Sequence, residues 1–550
     1  MILARSDCGT KMPCVLLAMM ALAYATVHDR GESDGAYEYE HPQLSIRSSA
    51  VEHNPQHWAD DAAAGIEKRL RHRNNRNVAR NIVMFLGDGM SVPTIAAARI
   101  LLGQRNGQTG EEAQLSFETF PTTGFTKTYC LDGQIPDSAC TATAYLCGAK
   151  TNLGNICLNG DVMRRDCEAS ANPDTHIESI AAWALKDGRD AGIVTTARVT
   201  HASPAGAYAN VANRMWENDA SVVEDGGDPE RCPDIAHQLI NMSPGNQFKV
   251  ILGGGRREFL PVNVTDEEGS PGLRHDNRDL IQEWEENKAS QNASYAYVWN
   301  REQLMNLSTS LPDYLLGLFE SSHMQFHLEA DNITEPTLAE MTEIAIKSLR
   351  RNKKGFFLFV ESGRIDIGHH GNLVEYALDE TIRMHDAVKV ATELLPEEDT
   401  LIVVTADHAH VMSFSGYAFR GGDILGVSGS QDWHGMPYMT LSYANGPGAR
   451  MQVKGVRRNL TEEENFRKKG WRSHADVPIP YERHGGDDVG VFARGPHHDM
   501  FSGVYEESQL PYLMAYAGCF GPGPHACNAG PVAHTPVFLL GILIVYQIRL

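Results

Sequence analysis

Apolar residues along the chain gather into short uninterrupted runs, and each run stops at a polar cluster. Asn81-Ile-Val-Met-Phe-Leu86 runs into Gly-Asp-Gly, Ala191–Thr195 into Arg198-Val-Thr-His201, and Val250–Leu252 into three glycines. Gly355–Val360 runs into Glu361, and Thr400–Thr405 into Ala-Asp-His. Runs without alternation predict strands buried on both faces. Between them the sequence reads as helix over Ile177–Lys186, Leu338–Arg350 and Glu375–Leu395, with an earlier helix over Asn54–Arg71 packed through Trp58, Ile66 and Leu70. Alternating strands and helices predict an α/β fold, a doubly wound and mostly parallel central sheet flanked by helices. Ligands of such sheets bind at the carboxyl ends of the strands, where the polar clusters stand. The stretches 256–335 and 417–483 read as insertions into this pattern.

The two ends break the pattern. Arg5 and Lys11, an apolar run from Cys14 to Ala23 and the triplet Ala23-Tyr24-Ala25 form a secretory signal peptide over residues 1–25. The alternative, an N-terminal anchor, is disfavoured because the run is shorter than the ~20 residues a span needs. At the other end, Cys527-Asn528-Ala529-Gly530, a spacer and the apolar tail Val537–Ile548 fit a GPI-anchor signal, with residues 529–550 removed. Asn528 is the expected attachment residue, and Cys527 and Ala529 are the alternatives. The mature chain would then be 26–528, carried through the secretory pathway to the extracellular face of the plasma membrane.

Charge narrows the class. The 550 residues hold 48 Lys and Arg against 70 Asp and Glu, a net −22, and removing one net positive charge with each end takes this to −24. Such a surface argues against nucleic-acid binding and suits cations. A hydrophobic share of 42% excludes wholesale disorder. Secretion makes the remaining cysteines candidates for disulfides, but eight cysteines allow 105 pairings, so spacing leaves the connectivity open. Glycosylation sequons stand at Asn263, Asn292, Asn306, Asn332 and Asn459, and more weakly at Asn241, which Pro244 follows.

The polar clusters carry chemistry. Asp88 lies between two glycines, a turn pattern that also lets a ligand approach backbone. Asp366 and His370 stand four apart, so one helical turn puts a carboxylate and an imidazole on one face. Thr405-Ala-Asp407-His408-Ala-His410 concentrates ligand types straight after a buried strand. His484 could close a metal shell from a distant segment, although by spacing alone it equally reads as a solvated histidine. Ser138, at the head of a small-residue helical stretch, has backbone N–H groups and the helix dipole beside it, which suits an oxyanion or phosphate. The simpler alternative makes Asp137 or Ser138 only an N-cap. No Gly-x-Ser-x-Gly elbow surrounds it, which disfavours a Ser-His-Asp hydrolase. Together Asp88, Ser138, Glu361, Asp366, His370, Asp407, His408 and His484 are enough for paired metals, which favour in-line displacement at phosphorus.

At this point the sequence closely resembles the alkaline phosphatase family in its animal membrane-bound form, from about Asn54 to Cys527. The motifs are Asp-Ser-x-x-Thr-Ala-Thr-Ala-Tyr-Leu-Cys-Gly, Arg-Ile-Asp-x-Gly-His-His, Thr-Ala-Asp-His-x-His and Val-Phe-Ala-Arg-Gly-Pro. The resemblance implies metal-dependent hydrolysis of phosphate monoesters at alkaline pH, releasing an alcohol and inorganic phosphate, with Ser138 as the nucleophile that becomes phosphoserine and Arg214 as the phosphate-binding arginine. It implies one zinc at Asp366, His370 and His484, and a second at Asp88, Asp407 and His408, which also holds Ser138. Magnesium falls to Asp88, Ser203 and Glu361, and calcium to Glu268, Phe319, Glu320 and Glu335, with His201 and His410 beside the ligands. It further implies a homodimer, with 417–483 as a crown-like insertion at the interface and the helix near Asn54–Arg71 embracing the partner. Disulfides are implied at Cys167–Cys232 and Cys519–Cys527, with Cys147 a free buried thiol and the pairing of Cys130, Cys140 and Cys157 open. Ile367 stands where vertebrate members often have a histidine near phosphate. Two rivals remain at this point: a related phosphodiesterase, and a catalytically weak GPI-anchored surface receptor on the same fold, whose mark would be a missing ligand.

Overall fold

The computed structural model describes residues 50–528, so the expected signal peptide and anchor propeptide lie outside the described residues. Ten strands make the main sheet: β1 (Asn81–Gly87), β2 (Thr122–Lys127), β3 (Asp190–Arg198), β4 (Val250–Gly254), β5 (Tyr295–Val298), β6 (Tyr314–Leu318), β7 (Phe356–Ser362), β8 (Thr400–Ala406), β9 (Val489–Arg494) and β10 (Gly503–Glu506). Their spatial order is β10-β2-β9-β8-β1-β7-β3-β4-β6-β5. Only β9 runs antiparallel to its neighbours, β8 and β2; the other pairings are parallel.

The unbroken apolar runs now have a cause. Every residue of β1, β7 and β8 is buried, and successive side chains point to opposite faces. Ile82, Met84 and Leu86 enter one core, where α3 (Ser138–Cys147) and α4 (Ile180–Lys186) pack. Val83 and Phe85 enter the other, filled from α2 (Val92–Arg105), α5 (Leu338–Leu349) and α6 (Val374–Leu394). Truncating a core side chain such as Phe85 to Ala costs about 3–5 kcal/mol. The helices start where their sequences cap them: Ser91 accepts from Thr94 N at 3.4 Å, and Thr337 with Glu340 closes a capping box at the head of α5.

Strand register brings the polar clusters to one edge. Leu86 pairs with both Glu361 and Thr405, and Thr195 pairs with Glu361. Asp88, Glu361, Asp407 and the segment after β3 therefore leave the sheet at the same level.

Four expectations change. The stretch 256–335 is not a mere insertion, because β5 and β6 extend the main sheet, Tyr314-Leu-Leu-Gly-Leu318 being apolar enough to pair there. The stretch 417–483 has one two-stranded sheet of its own, Val427–Gln431 with Pro437–Met439, shares a three-stranded sheet with Met412–Phe414, and gathers a small core of Met439, Leu460 and Trp471. The early helix forms as α1 (Pro55–Arg71), capped by Asn54, but none of its residues is buried. Trp58, Ile66 and Leu70 are 52%, 56% and 79% exposed, so its apolar side finds nothing among the described residues to pack on. Cys147 is not free: Gly148, left-handed at φ 77°, turns the chain back beside the end of α3, and Cys147 bonds to Cys157. Cys130 bonds to Cys140, and Cys167 to Cys232 as expected. Cys519 and Cys527 are adjacent free thiols rather than a disulfide; the Cys527 amide, at 2.8 Å, is what closes on Cys519 Sγ.

Candidate active site

The site is built on the carboxyl ends of β1, β7, β8 and β3. Asp88 follows β1, and the next residue, Gly89, holds φ at +72° with its N–H donating to Asp407 Oδ1 at 2.9 Å. A Cβ on Gly89 would stand 2.4 Å from His410 Cδ2, so only glycine lets these segments approach.

Two sets of ligand atoms converge. Asp366 Oδ1 lies 3.2 Å from His370 Nε2 and 3.4 Å from His484 Nε2, and the two imidazole nitrogens are 3.2 Å apart. His408 Nε2 lies 3.2 Å from Asp407 Oδ2, 3.5 Å from Asp88 Oδ1 and 3.2 Å from Ser138 Oγ. A tetrahedral ion with ligands at about 2.0–2.1 Å holds its ligand atoms about 3.3 Å apart, which is the spacing seen in both sets. The histidines are oriented for the task. His370 Nδ1 meets Glu482 O at 2.6 Å and His484 Nδ1 meets Pro136 O at 2.8 Å, so each keeps Nε2 free of a proton.

Electrostatics point the same way. Asp88, Glu361, Asp366 and Asp407 are all buried, and both oxygens of Asp88, Oδ2 of Asp407, Oε1 of Glu361 and Oγ of Ser203 have no hydrogen-bond partner. Burial first, then Asp407, Asp366 and Glu361, raises the Asp88 carboxyl well above its ordinary value. Burial, with Asp407 and Asp366, pushes Glu361 up to about 8 against a hydrogen bond from Thr195. Burial also holds His408 well below the usual imidazole range, leaving a neutral ligand. Buried carboxylates in this state call for a cation. Ligand atoms of Asp88, His201 and Glu361 form a third group, within 4.8 Å of one another. The donor sets around His370 and His408 thus have the chemistry zinc requires, while the third group brings His201, where the expected magnesium set has Ser203, to Asp88 and Glu361.

Ser138 opens α3. Asp137 caps the helix, accepting from Cys140 N at 3.2 Å and Gly154 N at 3.0 Å. Its other oxygen takes Arg214 Nη1 at 3.1 Å, and Arg214 Nη2 lies 3.0 Å from His201 Nε2. Asp137 is thus the cap of α3, and Ser138 is its first residue. Disulfides Cys130–Cys140 and Cys147–Cys157 pin α3 near both ends.

The acidic group further out is less sharply defined. Burial, then Glu320, pushes Glu335 up to about 9, and Glu335 accepts from Gln325 N at 3.1 Å. Glu268 is engaged by Arg256, and the Glu320 carbonyl accepts from Gly255 and Arg256.

Sequence reasoning missed Glu482, whose carboxylate meets His410 Nδ1 while His410 Nε2 lies 2.7 Å from Asp366 Oδ1. Between them these carboxylates raise His410 to about 10 against burial. The one signal was an acid two residues before His484. Thr195, buried inside an unbroken strand run, gave none.

A doubly wound sheet whose strand ends gather ligand sets for metals around a serine and an arginine is that of a metallohydrolase. The alkaline phosphatase family model matches residues 79–520. The chain is 60% identical over 495 residues to a membrane-bound alkaline phosphatase of Bombyx mori, covering 89% of this chain and 90% of that one. It is 43% identical over 508 residues to the tissue-nonspecific isozyme of Gallus gallus, covering 90% and 96%. Among solved structures, the alkaline phosphatases of the Antarctic bacterium TAB5 and of Thermus thermophilus each superpose with a TM-score of 0.56. Their identities are 19% and 22%, covering 81% and 80% of this chain and 99% and 92% of theirs, and they show the fold. The chain belongs to the alkaline phosphatase family. It is a metal-dependent hydrolase of phosphate monoesters.

Proposed function

We propose that Ser138 is the nucleophile and Arg214 the phosphate-binding residue of this phosphomonoesterase. The supporting observation is the placement of Ser138 Oγ at the head of α3, 3.2 Å from His408 Nε2 and so within the second ligand set. Asp366, His370 and His484 would hold one zinc, Asp88, Asp407 and His408 a second beside Ser138, and Asp88, Ser203 and Glu361 a magnesium. When bound, these ions would ease ionisation of the serine hydroxyl and stabilise charge on the attacking and leaving oxygens.

The chain's own residues do the rest. The Arg214 fork grips two phosphate oxygens, its heading set by Asp137 and His201. Ser138 Oγ attacks phosphorus in line, forming an Oγ–P bond as the ester P–O bond breaks. The serine proton passes to solvent, and the departing alkoxide takes a proton from solvent to leave as the alcohol. Water then attacks phosphorus from the opposite side, the Oγ–P bond breaks and inorganic phosphate leaves. Two inversions give net retention. Acid-quench trapping with a labelled monoester tests this: Ser138→Ala should form no phosphoenzyme while keeping its metals. A labelled phosphoenzyme in that variant would refute the assignment.

Glu268, Phe319, Glu320 and Glu335 would take calcium, in keeping with the raised Glu335. The exposed Trp58, Ile66 and Leu70 of α1 support a homodimer in which that helix covers a partner, with 417–483 at the same interface. No helix among the described residues is long and apolar enough to cross a membrane. The membrane-bound relative and the C-terminal signal support a GPI anchor at Asn528 on the extracellular face. Asn263, Asn292, Asn306 and Asn332 are exposed, as glycan attachment requires, and Asn459 is half-buried. A receptor lacking turnover is disfavoured, because every ligand position is filled, and a diesterase by the arginine and the third ligand group.

A further inference from the structure

His323 belongs to none of the ligand groups above, yet the structure sets it against their neighbours. It stands in the turn after β6, which is tied to adjacent strand ends: Met324 N donates to Thr196 O at 3.1 Å, and Gly255 and Arg256 N–H groups donate to Glu320 O at 3.0 Å each. The half-buried imidazole has Nε2 at 2.7 Å from Arg198 Nη1 and Nδ1 at 3.3 Å from the Arg198 backbone N. Both partners are donors, so the ring is neutral and held by whichever nitrogen accepts. Arg198 is itself fixed by a two-pronged pair with Glu217, Nε–Oε2 2.7 Å and Nη2–Oε1 2.6 Å, and Thr200 Oγ1 donates to the same carboxylate at 2.6 Å. The bracket Glu217–Arg198–His323 is therefore rigid.

From this bracket His323 presents its ring to His201, with centroids 5.2 Å apart and planes at 74°. His201 Nε2 holds Arg214 Nη2 at 3.0 Å, and Asp137 holds Nη1 at 3.1 Å. Of these two anchors, Asp137 is fixed as the cap of α3. His201 is a ring whose plane must be held by packing, and the ring packed against it is His323.

We infer that His323 is a positioning residue for phosphate binding: it fixes the plane of His201 and, through it, the heading of the Arg214 fork. The inference rests on the reading of Arg214 as the phosphate-binding residue. Edge-to-face ring pairs are worth about threefold to tenfold in an equilibrium constant, which sets the scale of the effect.

The test uses the metal-loaded full chain with His323→Ala, His323→Phe, Arg214→Ala and the His323→Ala/Arg214→Ala double variant. It reads the inhibition constant of inorganic phosphate together with KM and kcat for a monoester. His323→Ala should raise the phosphate inhibition constant and KM together by about fivefold, with kcat within about twofold. His323→Phe, which keeps the ring edge but loses the bond from Arg198, should fall between the parent and His323→Ala. In the Arg214→Ala background, His323→Ala should add nothing further. A merely structural role would lower kcat and bound metal, and would do so alike in both backgrounds. If His323→Ala does not fold, His323→Asn, which removes the ring and stays polar, carries the same expectation. An unchanged inhibition constant in the ring-less variant, a Phe variant as impaired as Ala, or an undiminished loss in the Arg214→Ala background would overturn the inference. An Arg214→Ala variant with normal phosphate affinity would instead remove the reading beneath it.

Discussion

Two regions of the molecule bury comparable charge in opposite ways. Around Arg274, itself 1% exposed, the chain supplies both signs. Arg274 Nη1 and Nη2 each lie 3.0 Å from an oxygen of Asp234, and Nη2 lies 2.5 Å from Asp276 Oδ2. Asp234 also accepts from His237 N at 2.9 Å as the cap of its helix. At the strand ends, Asp88, Glu361 and Asp407 are buried as deeply, but four of their six oxygens have no partner, and His408 is neutral. The first group is complete and serves the fold. The second is short of positive charge and serves a ligand.

The comparison breaks most visibly at the serine. Ser138→Ala should lower turnover by about three orders of magnitude or more in a monoester assay, with zinc content by elemental analysis unchanged. Arg274→Met should do the reverse. Leaving the buried Asp234 without its partner should cost about 3–5 kcal/mol in denaturant unfolding, while the surviving folded enzyme keeps its metals and its kcat.

Chelation sharpens the contrast through pH. The Glu361 carboxyl, at about 8 in the fold, lies above its unfolded value near 4.5, so the metal-stripped fold favours the protonated acid. Its contribution to stability is complete below the unfolded value and is lost as pH rises through about 8. Stripped protein should therefore show a falling Tm between pH 5 and 9 in calorimetry, and zinc with magnesium should remove the slope. The disulfide beside Ser138 comes next: Cys130→Ser/Cys140→Ser should cost about 2–3 kcal/mol of stability, as expected for a loop of this length. The smallest effect is at Lys288, a buried cation with no carboxylate, lowered to about 8 by burial and by Lys249. The penalty for its charge is complete below pH 8 and eases as pH rises toward 10.5. The Tm difference between Lys288→Met and the parent should narrow over that range, with no change in activity.

The sheet was legible because the central strands are buried on both faces, so apolar runs and their polar ends stand out without any partner being known. Asp88, Glu361, Asp366, Asp407 and His408 were readable for that reason. Ser203 and Arg214 were not: Ser203 lies in the one-turn helix Ala202–Ala205 and Arg214 in a turn, both too short to show a period, and only the family resemblance singled them out. His484 was ambiguous until its pairing with His410 across a short antiparallel bridge brought it to the site. Glu482 and His323 went unnoticed because their partners, His410 and Arg198, lie 72 and 125 residues away. The cysteines 130, 140, 147 and 157 could not be paired from spacing, since the turn at Gly148 that sets the second pair is a feature of the folded chain.

Anomalous diffraction at the zinc absorption edge from crystals of the metal-loaded protein tests the central claim most directly. The account predicts two peaks, one among Asp366, His370 and His484 and one among Asp88, Asp407 and His408, and none near Arg274. Fully loaded crystals without a peak in either group would contradict it.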